Sequence, residues 1–314
     1  MVKKEFQKDI HDTLLRDGLE ILFAGIGSPR HDSKPGQPCL GIIAAGQFIL
    51  IDAGQGCMGR LTEMEDPYKQ ISTVFLTHLH SDHMSGLGEI IDNTWVMGRS
   101  EKMKVYGPPG TKVLLGGFAE AYKEDIEDSI AWRGKDDLDA TLAVAEPHIV
   151  TVNDKEAHTV YEKNGLVVKA FMVEHPEWKY AYGYRVEYAG RLVVVSGDTR
   201  FSQQVIRHAK GADILIHEAF SKRMLDAAQR VADELKISLS AKAIRYIKET
   251  HTSTLEAARV AKESGADKLV LTHIIPPLPN KITEKIFLMG MDDIYDGDII
   301  LAEDGMRLTM PAKN

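Results

Sequence analysis

Apolar residues along the chain fall in short runs separated by polar and turn-forming residues. LEILFAGI (19–26) and CLGIIAAGQFILIDA (39–53) read as strands, and the Gly-, Pro- and Ser-rich GSPRHDSKPGQP between them reads as a loop. STVFLT (72–77) predicts a short buried strand that ends directly at His78, followed by a helix over 83–97. MKVY (103–106) is a strand stopped by GPPG, and a helix is expected over 111–130. From 165 to 197 the pattern returns to β, with Ala189-Gly190 as a hairpin turn between two apolar strands. A helix over 200–210, a strand ADILI (212–216), helices over 222–235 and 253–265, and a strand KLVLT (268–272) that runs into His273 complete the pattern. The order is β-rich then helical, twice, with no linker, low-complexity tract or short repeat. This predicts an α/β fold in which two sheets pack face to face with helices outside, in a single domain over 1–314.

Composition narrows the classes. Hydrophobic residues make up 44%, enough for a sizeable core. No window approaches the ~18 apolar residues of a membrane span. The charged start, MVKKEFQKDIHDTLLRDG, lacks the apolar stretch of a secretory signal, so a cytoplasmic protein is expected. Cys39 and Cys57 are too few for a disulfide framework and are read as ordinary small side chains. Lys and Arg number 38 against 46 Asp and Glu, for a net charge of −8, which repels a polyanion unless a local basic patch exists.

The chemistry is concentrated in histidine. Of twelve, three fall in His78-Leu79-His80-Ser81-Asp82-His83, with an aspartate among them. Imidazole and carboxylate suit zinc and related divalent metals. The run sits where a strand ends, so its side chains leave a rigid edge and converge. The same arrangement recurs three times: His175 after AFMV-Glu174, Asp198 after LVVVSG, His273 after KLVLT.

THLHSDH, SGDT and LTH resemble the metal motifs of the metallo-β-lactamase superfamily, from about Leu22 to the C-terminus. Within it the chain looks most like the ribonuclease Z branch and its arylsulfatase-like relatives. YGPPG (106–110), GYRVEYAGRLVVVSGDT (183–199), ILIHEA (214–219), His251-Thr252-Ser253-Thr254 and KLVLTHI (268–274) carry that likeness. The resemblance implies an αββα sandwich of two mixed sheets and a pair of divalent ions, zinc by default, with manganese or iron fitting the same set. His78, His80 and His175 would hold one ion, Asp82, His83 and His273 the other, and Asp198 both. Asp52 in LIDAG would orient a ligand histidine. Two close dications lower the pKa of a shared water, so hydroxide attack on an ester is expected, with Asp82 orienting the water. His251 would protonate the leaving group and Glu218 would hold His251. A carboxylate beside an imidazole favours the charged form a general acid needs. Thr252 or Ser253 also reads as a helix N-cap. A homodimer is a further implication.

Three functions compete: hydrolysis of a small phosphate, sulfate or carboxylic ester; tRNA 3′-processing; and a non-catalytic metal-binding role. The last is weakest, because every ligand and the acid are in place. A tRNA nuclease of this branch is expected to carry a basic arm. Residues 116–165 hold twelve Asp/Glu against five Lys/Arg, including EDIEDS and KDDLD, which disfavours a nucleic-acid partner. The expected reaction is therefore hydrolysis of a small-molecule ester. Arg30 and His31 could touch an anionic substrate. Trp178, Tyr180 and Tyr182 fit an aromatic pocket or core packing, and Phe287, Leu288 and Met289 fit an apolar lid or core. His217 is expected in the core. His11, His148, His158 and His208 are expected at structural or surface positions.

Overall fold

The computed structural model describes residues 17–29, 36–65, 67–176 and 178–313. Its first sheet is built on an antiparallel meander of β1 (Leu19–Gly25), β2 (Cys39–Ala44) and β3 (Gln47–Ile51). β4 (Ile71–Phe75), β5 (Lys104–Gly107) and β6 (Glu146–Ile149) extend it in parallel. The second sheet continues with β7 (His158–Lys163), β8 (Leu166–Met172), β9 (Tyr182–Tyr188) and β10 (Arg191–Val195), antiparallel in succession. β11 (Ile214–Phe220), β12 (Lys268–Ile275) and β13 (Asp298–Leu301) then pair in parallel beside β10. β14 (Met306–Met310) returns to the first sheet and pairs with β1. Two mixed seven-stranded sheets result, ordered β14-β1-β2-β3-β4-β5-β6 and β13-β12-β11-β10-β9-β8-β7.

The two-residue side-chain period of a strand builds the layers. Ile21 and Phe23 of β1 join the core that contains Val193, Ile216 and Val270 of the second sheet. Leu22 and Ala24 face the other way, with Met58 and Leu61 of α1 (Cys57–Glu63). α2 (Ser81–Met84) carries part of the histidine run; α3 (Leu87–Val96), α4 (Thr111–Ala121) and α5 (Lys123–Arg133) follow it. The second sheet is accompanied by α6 (Gln203–His208), α7 (Lys222–Glu234), α8 (Ser238–Thr250), α9 (Thr254–Ser264) and α10 (Lys281–Leu288). This is the expected sandwich.

Several details differ from the expectation. The run 39–53 is two strands, because Ala45 and Gly46 turn with φ 55° and 72°, the left-handed pair of a tight hairpin. The helix expected over 111–130 breaks at Tyr122, and α8 and the edge strands β6, β7, β13 and β14 were not foreseen. Region 116–165, whose acidic composition disfavours a basic arm, contains the end of α4, all of α5, and β6 and β7, each at the edge of a sheet. Cys39 and Cys57, read as unlinked, form a disulfide between the start of β2 and the start of α1. The β2–β3 hairpin folds the chain back between the two cysteines, 18 residues apart in sequence, and brings their Cα atoms to 5.8 Å. No helix among the described residues is long and apolar enough to cross a membrane. His11, Arg30 and His31 lie outside the described residues.

Candidate metal centre

The polar residues singled out in the sequence meet at one end of the sandwich, where strands of both sheets finish. Asp52 follows β3, and Thr77 and His78 follow β4 and lead into α2. His175 follows β8, Asp198 follows β10, Glu218 lies in β11 and His273 in β12. Two of these positions are conformationally unusual. Asp52 has φ 61° and His273 has φ 48°, a region L-residues visit at a cost of order 1–3 kcal/mol. At His273 the β11–β12 register slips. Glu218 pairs with Thr272 and Ala219 with Ile274, so His273 is an extra residue bulged out of the ladder. The Ile274 N–H turns away to the Ile26 carbonyl (3.0 Å). Gly197, at φ 61°, lets the chain turn just before Asp198; a Cβ there would sit 2.5 Å from the Tyr182 carbonyl oxygen.

His78, His80, His175 and Asp198 form one group whose donor atoms lie within 4.8 Å of one another; Asp82, His83 and His273 form a second. In the first, His80 Nδ1 lies 2.8 Å from His78 Nε2 and 3.3 Å from His175 Nε2. In the second, His273 Nε2 is 3.3 Å from Asp82 Oδ2, and His83 Nε2 is 3.5 Å from the same oxygen. Asp198 Oδ2 faces both groups, at 3.8 Å from His78 Nε2, 3.4 Å from His83 Nε2 and 3.3 Å from His273 Nε2.

The donor chemistry fits divalent ions. Asp52, Asp82 and Asp198 are all buried, and their ion pairs among the described residues are with histidines, none with Lys or Arg. Buried carboxylates without a permanent cation are expensive. Burial would raise the Asp198 pKa, but His273 and His83 hold it well below the usual carboxylate range. Burial and then His83 push His78 well down, and burial and then His175 bring His80 to about 4, so both offer lone pairs at neutral pH. His83 Nε2 is buried without a hydrogen-bond partner among the described residues, inside a ring of ligand-type atoms.

Behind the cluster, outer ring nitrogens are held in place. His83 Nδ1 meets Asp52 Oδ2 at 2.8 Å. His78 Nδ1 meets Thr77 Oγ1 at 3.0 Å, and that hydroxyl donates to Asp52 Oδ2 at 2.9 Å. The Thr77 N–H also donates to Asp52 Oδ1 (2.8 Å). One carboxylate thus orients two histidines, the second through Thr77, a residue sequence reasoning missed although it opens THLHSDH. His175 Nδ1 donates to the Thr250 carbonyl at 3.2 Å. The Trp178 indole nitrogen lies 2.7 Å from His80 Nε2, and the indole packs beside that ring.

His251 lies between α8 and α9, fixed by the helix end on one side and the Ser253–Glu256 capping box on the other. Its Nδ1 lies 3.0 Å from Glu218 Oε1 and 3.9 Å from Asp198 Oδ2, and its ring stacks on His273 with centroids 5.3 Å apart. Burial alone would lower its pKa. The Glu218 carboxylate, its hydrogen bond and then Asp198 outweigh burial and bring it to about 9. Glu218 Oε1 also accepts from the Thr199 N–H at 2.9 Å. His251, Asp198 and His273 are themselves close enough to hold a cation.

The remaining expectations divide. Trp178 packs edge-on against His78 and His80, whereas Tyr182 is core, its hydroxyl donating to the Val150 carbonyl. Tyr180 is half-buried against the same core, with Lys179 over its ring. Phe287 is buried in the core and Met289 is 47% exposed, so these residues do not form one apolar lid. His217 is core, as expected. His208 is buried against the Lys155 carbonyl, His148 stacks on Tyr106 and His158 pairs with Asp154.

Residues 47–274 match the family model described as beta-lactamase superfamily domain. Ribonuclease Z of Mycobacterium sp. (strain KMS) is 30% identical over 262 residues, covering 83% of this chain and 85% of that protein. Ribonuclease Z of Mycobacterium marinum (strain ATCC BAA-535 / M) is 31% identical over 265 residues, covering 83% and 88%. Among solved structures, human tRNase Z, short form, aligns with a TM-score of 0.67 at 21% identity, over 93% of this chain and 99% of that one. A diphosphatase of the PhnP family aligns at 0.63 and 19%, over 94% and 98%. The fold, the paired His/Asp clusters and these matches together place the chain in the beta-lactamase superfamily, in its ribonuclease Z-like branch.

Proposed function

We propose that this chain is a metal-dependent phosphodiesterase. The observation that carries the reading is the buried His251–Glu218 pair, 3.0 Å apart, set against the cluster at Asp198 and His273. We assign His78, His80 and His175 to one ion, Asp82, His83 and His273 to a second, and Asp198 to both; zinc suits these ligands, as do manganese and iron. Divalent ions there would supply Lewis acidity that lowers the pKa of water and offsets charge on phosphoryl oxygens. Asp82, in the second group beside His83 and His273, would orient the attacking water. His251, kept cationic by Glu218, would deliver a proton to the leaving alkoxide as its bond to phosphorus breaks. Alkoxides leave poorly without that proton, so a built-in acid fits an ester of an alkyl or ribose alcohol.

The comparisons shift the expected substrate away from small sulfate and carboxylic esters. Relatives at 30% identity or more carry the name ribonuclease Z, which makes the 3′ end of a precursor tRNA the leading substrate, with a nucleic-acid partner. One observation favours a second reading, a small phosphodiester. α5 exposes Glu124, Asp125, Glu127 and Asp128, a poor surface for a polyanion. Cleavage of a precursor tRNA, run beside a nitrophenyl phosphodiester and a nitrophenyl sulfate, tests both. Clean 3′ cleavage at physiological salt selects the first reading and turnover of the small phosphodiester alone selects the second. Sulfate hydrolysis without phosphodiester hydrolysis would overturn the proposal. We further expect one domain acting as a homodimer, which light scattering of the purified protein checks.

A further inference from the structure

The imidazoles of the cluster are held unequally. His78, His83 and His175 each have an oxygen at the outer ring nitrogen, and His80 meets the Trp178 indole. His273 differs. Its Nε2 faces Asp82 and Asp198, which leaves Nδ1 as the outer nitrogen, and Nδ1 is buried without a partner among the described residues. Glu218 Oε2 is in the same position. Its sister oxygen serves His251, Thr199 and Thr252, while Oε2 is buried and unpartnered.

These two orphans have opposite needs. An imidazole that ligates through Nε2 carries its proton on Nδ1 and is a donor there; a carboxylate oxygen is an acceptor. Both residues are almost fully buried, at 2% and 1% exposed, where a polar atom left without a hydrogen bond is costly. Both also line one narrow cavity of about 30 Å³ between the sheets, together with Asp52, Ser196, Asp198 and Thr272. A water needs roughly 10–15 Å³ by this measure and two or more polar partners. The cavity is large enough for one water, and both residues are among those that line it.

We infer that this cavity is a structural water site, in which water accepts from His273 Nδ1–H and donates to Glu218 Oε2. Glu218 then has two roles. Through Oε1 it holds the acid His251, and through Oε2 and the water it orients His273. It acts on the second metal position as a positioning residue, coupling that position to the acid across β11 and β12. The inference rests on the ligand assignment proposed above for His273, not on the identity of the substrate.

The test reads metal binding rather than turnover. Zn²⁺ affinity is measured for both sites by competition with a chromophoric chelator, in wild type, His251→Ala, Glu218→Gln and Glu218→Leu. Gln keeps a polar group for the water and loses the charge; Leu removes both. The weaker-holding effect should fall on the ion of Asp82, His83 and His273. Glu218→Leu should lower its affinity ~10–100-fold, the range for losing a partner of a ligand histidine, while Glu218→Gln stays within a few-fold and His251→Ala matches wild type. Equal losses for Gln and Leu would assign the effect to charge and overturn the inference, and so would a Leu variant that binds like wild type. Should Glu218→Leu not fold, a high-resolution crystal structure of the zinc-loaded wild type decides. Ordered water within hydrogen-bond distance of both atoms supports the inference, and its absence overturns it. A protein that binds two ions in this way yet cleaves no phosphodiester would refute the proposed function and leave the water site standing.

Discussion

The two sheets contribute to the centre in different ways. The first delivers His78, His80, Asp82 and His83 in one continuous stretch after β4, with two of the histidines referred to a single carboxylate, Asp52. The second delivers single residues from separate strands: His175 and Asp198 after β8 and β10, and Glu218 and His273 within β11 and β12. The contrast teaches that the first half is a local device, rigid once β3 and β4 pair. The second half exists only when β8, β10, β11 and β12 are all in register. Asp198 is where the halves join, since its Oδ2 faces His78, His83 and His273 together.

Breaking that joint should have the largest effect. Asp198→Ala is expected to lose most of both ions by elemental analysis. The rate should fall ~10³-fold or more, because several kcal/mol of charge stabilisation leave with the metals. If one ion stayed at full occupancy, the halves would be independent. His251→Ala comes next. It should keep both ions and lose ~10²–10⁴ in kcat/KM for an alkyl leaving group, and far less for nitrophenolate. Loss of an ion would instead place His251 among the ligands, with Asp198 and His273.

Asp52→Asn probes the first half alone. It should weaken metal binding ~10–100-fold through His83 and His78 together, whereas Thr77→Val should act through the His78 arm and cost less. Equal costs would mean that Thr77 carries the whole support. The smallest expected effect is a shift in pH profile. His251 is charged below a pKa of about 9, which Glu218 raises against burial. Since the acid must be protonated, activity on alkyl esters is lost as pH rises through that value. Bound dications repel the imidazolium, so the limb of the loaded enzyme lies lower. Glu218→Gln should move it lower still, and an unmoved limb would assign it to another group.

The same contrast explains what was legible in the sequence. The first half could be read directly, because His78, His80, Asp82 and His83 sit within six residues at the end of an apolar run. The residues His175, Asp198 and His273 stood out only because the same arrangement recurred after separate apolar runs, since a lone His or Asp after a strand is common; their division between two ions needed the family resemblance. Thr77 was hidden because a threonine hydroxyl between a carboxylate and an imidazole leaves no periodicity. α8 was missed because Leu239, exposed at 78%, and Tyr246 break its apolar stripe. The disulfide was missed because pairing Cys39 with Cys57 depends on the β2–β3 hairpin, not on spacing alone. Region 116–165 was correctly read as acidic, but composition could not say that it would run from α4 through the exposed α5 to two sheet edges.

The bulge at His273 changes how that residue should be counted. Up to Thr272, β12 keeps step with β11, and from Ile274 onward it keeps step again, one residue later. His273 is therefore an addition to the strand and not a replacement of one of its rungs. Leu269, Val270 and Leu271 before it and Ile274 after it all remain in the core. A strand can gain or shed such a residue while its neighbours keep their packing partners. His273, grouped with Asp82 and His83, is thus a single-residue insertion in a strand whose core positions on either side stay filled.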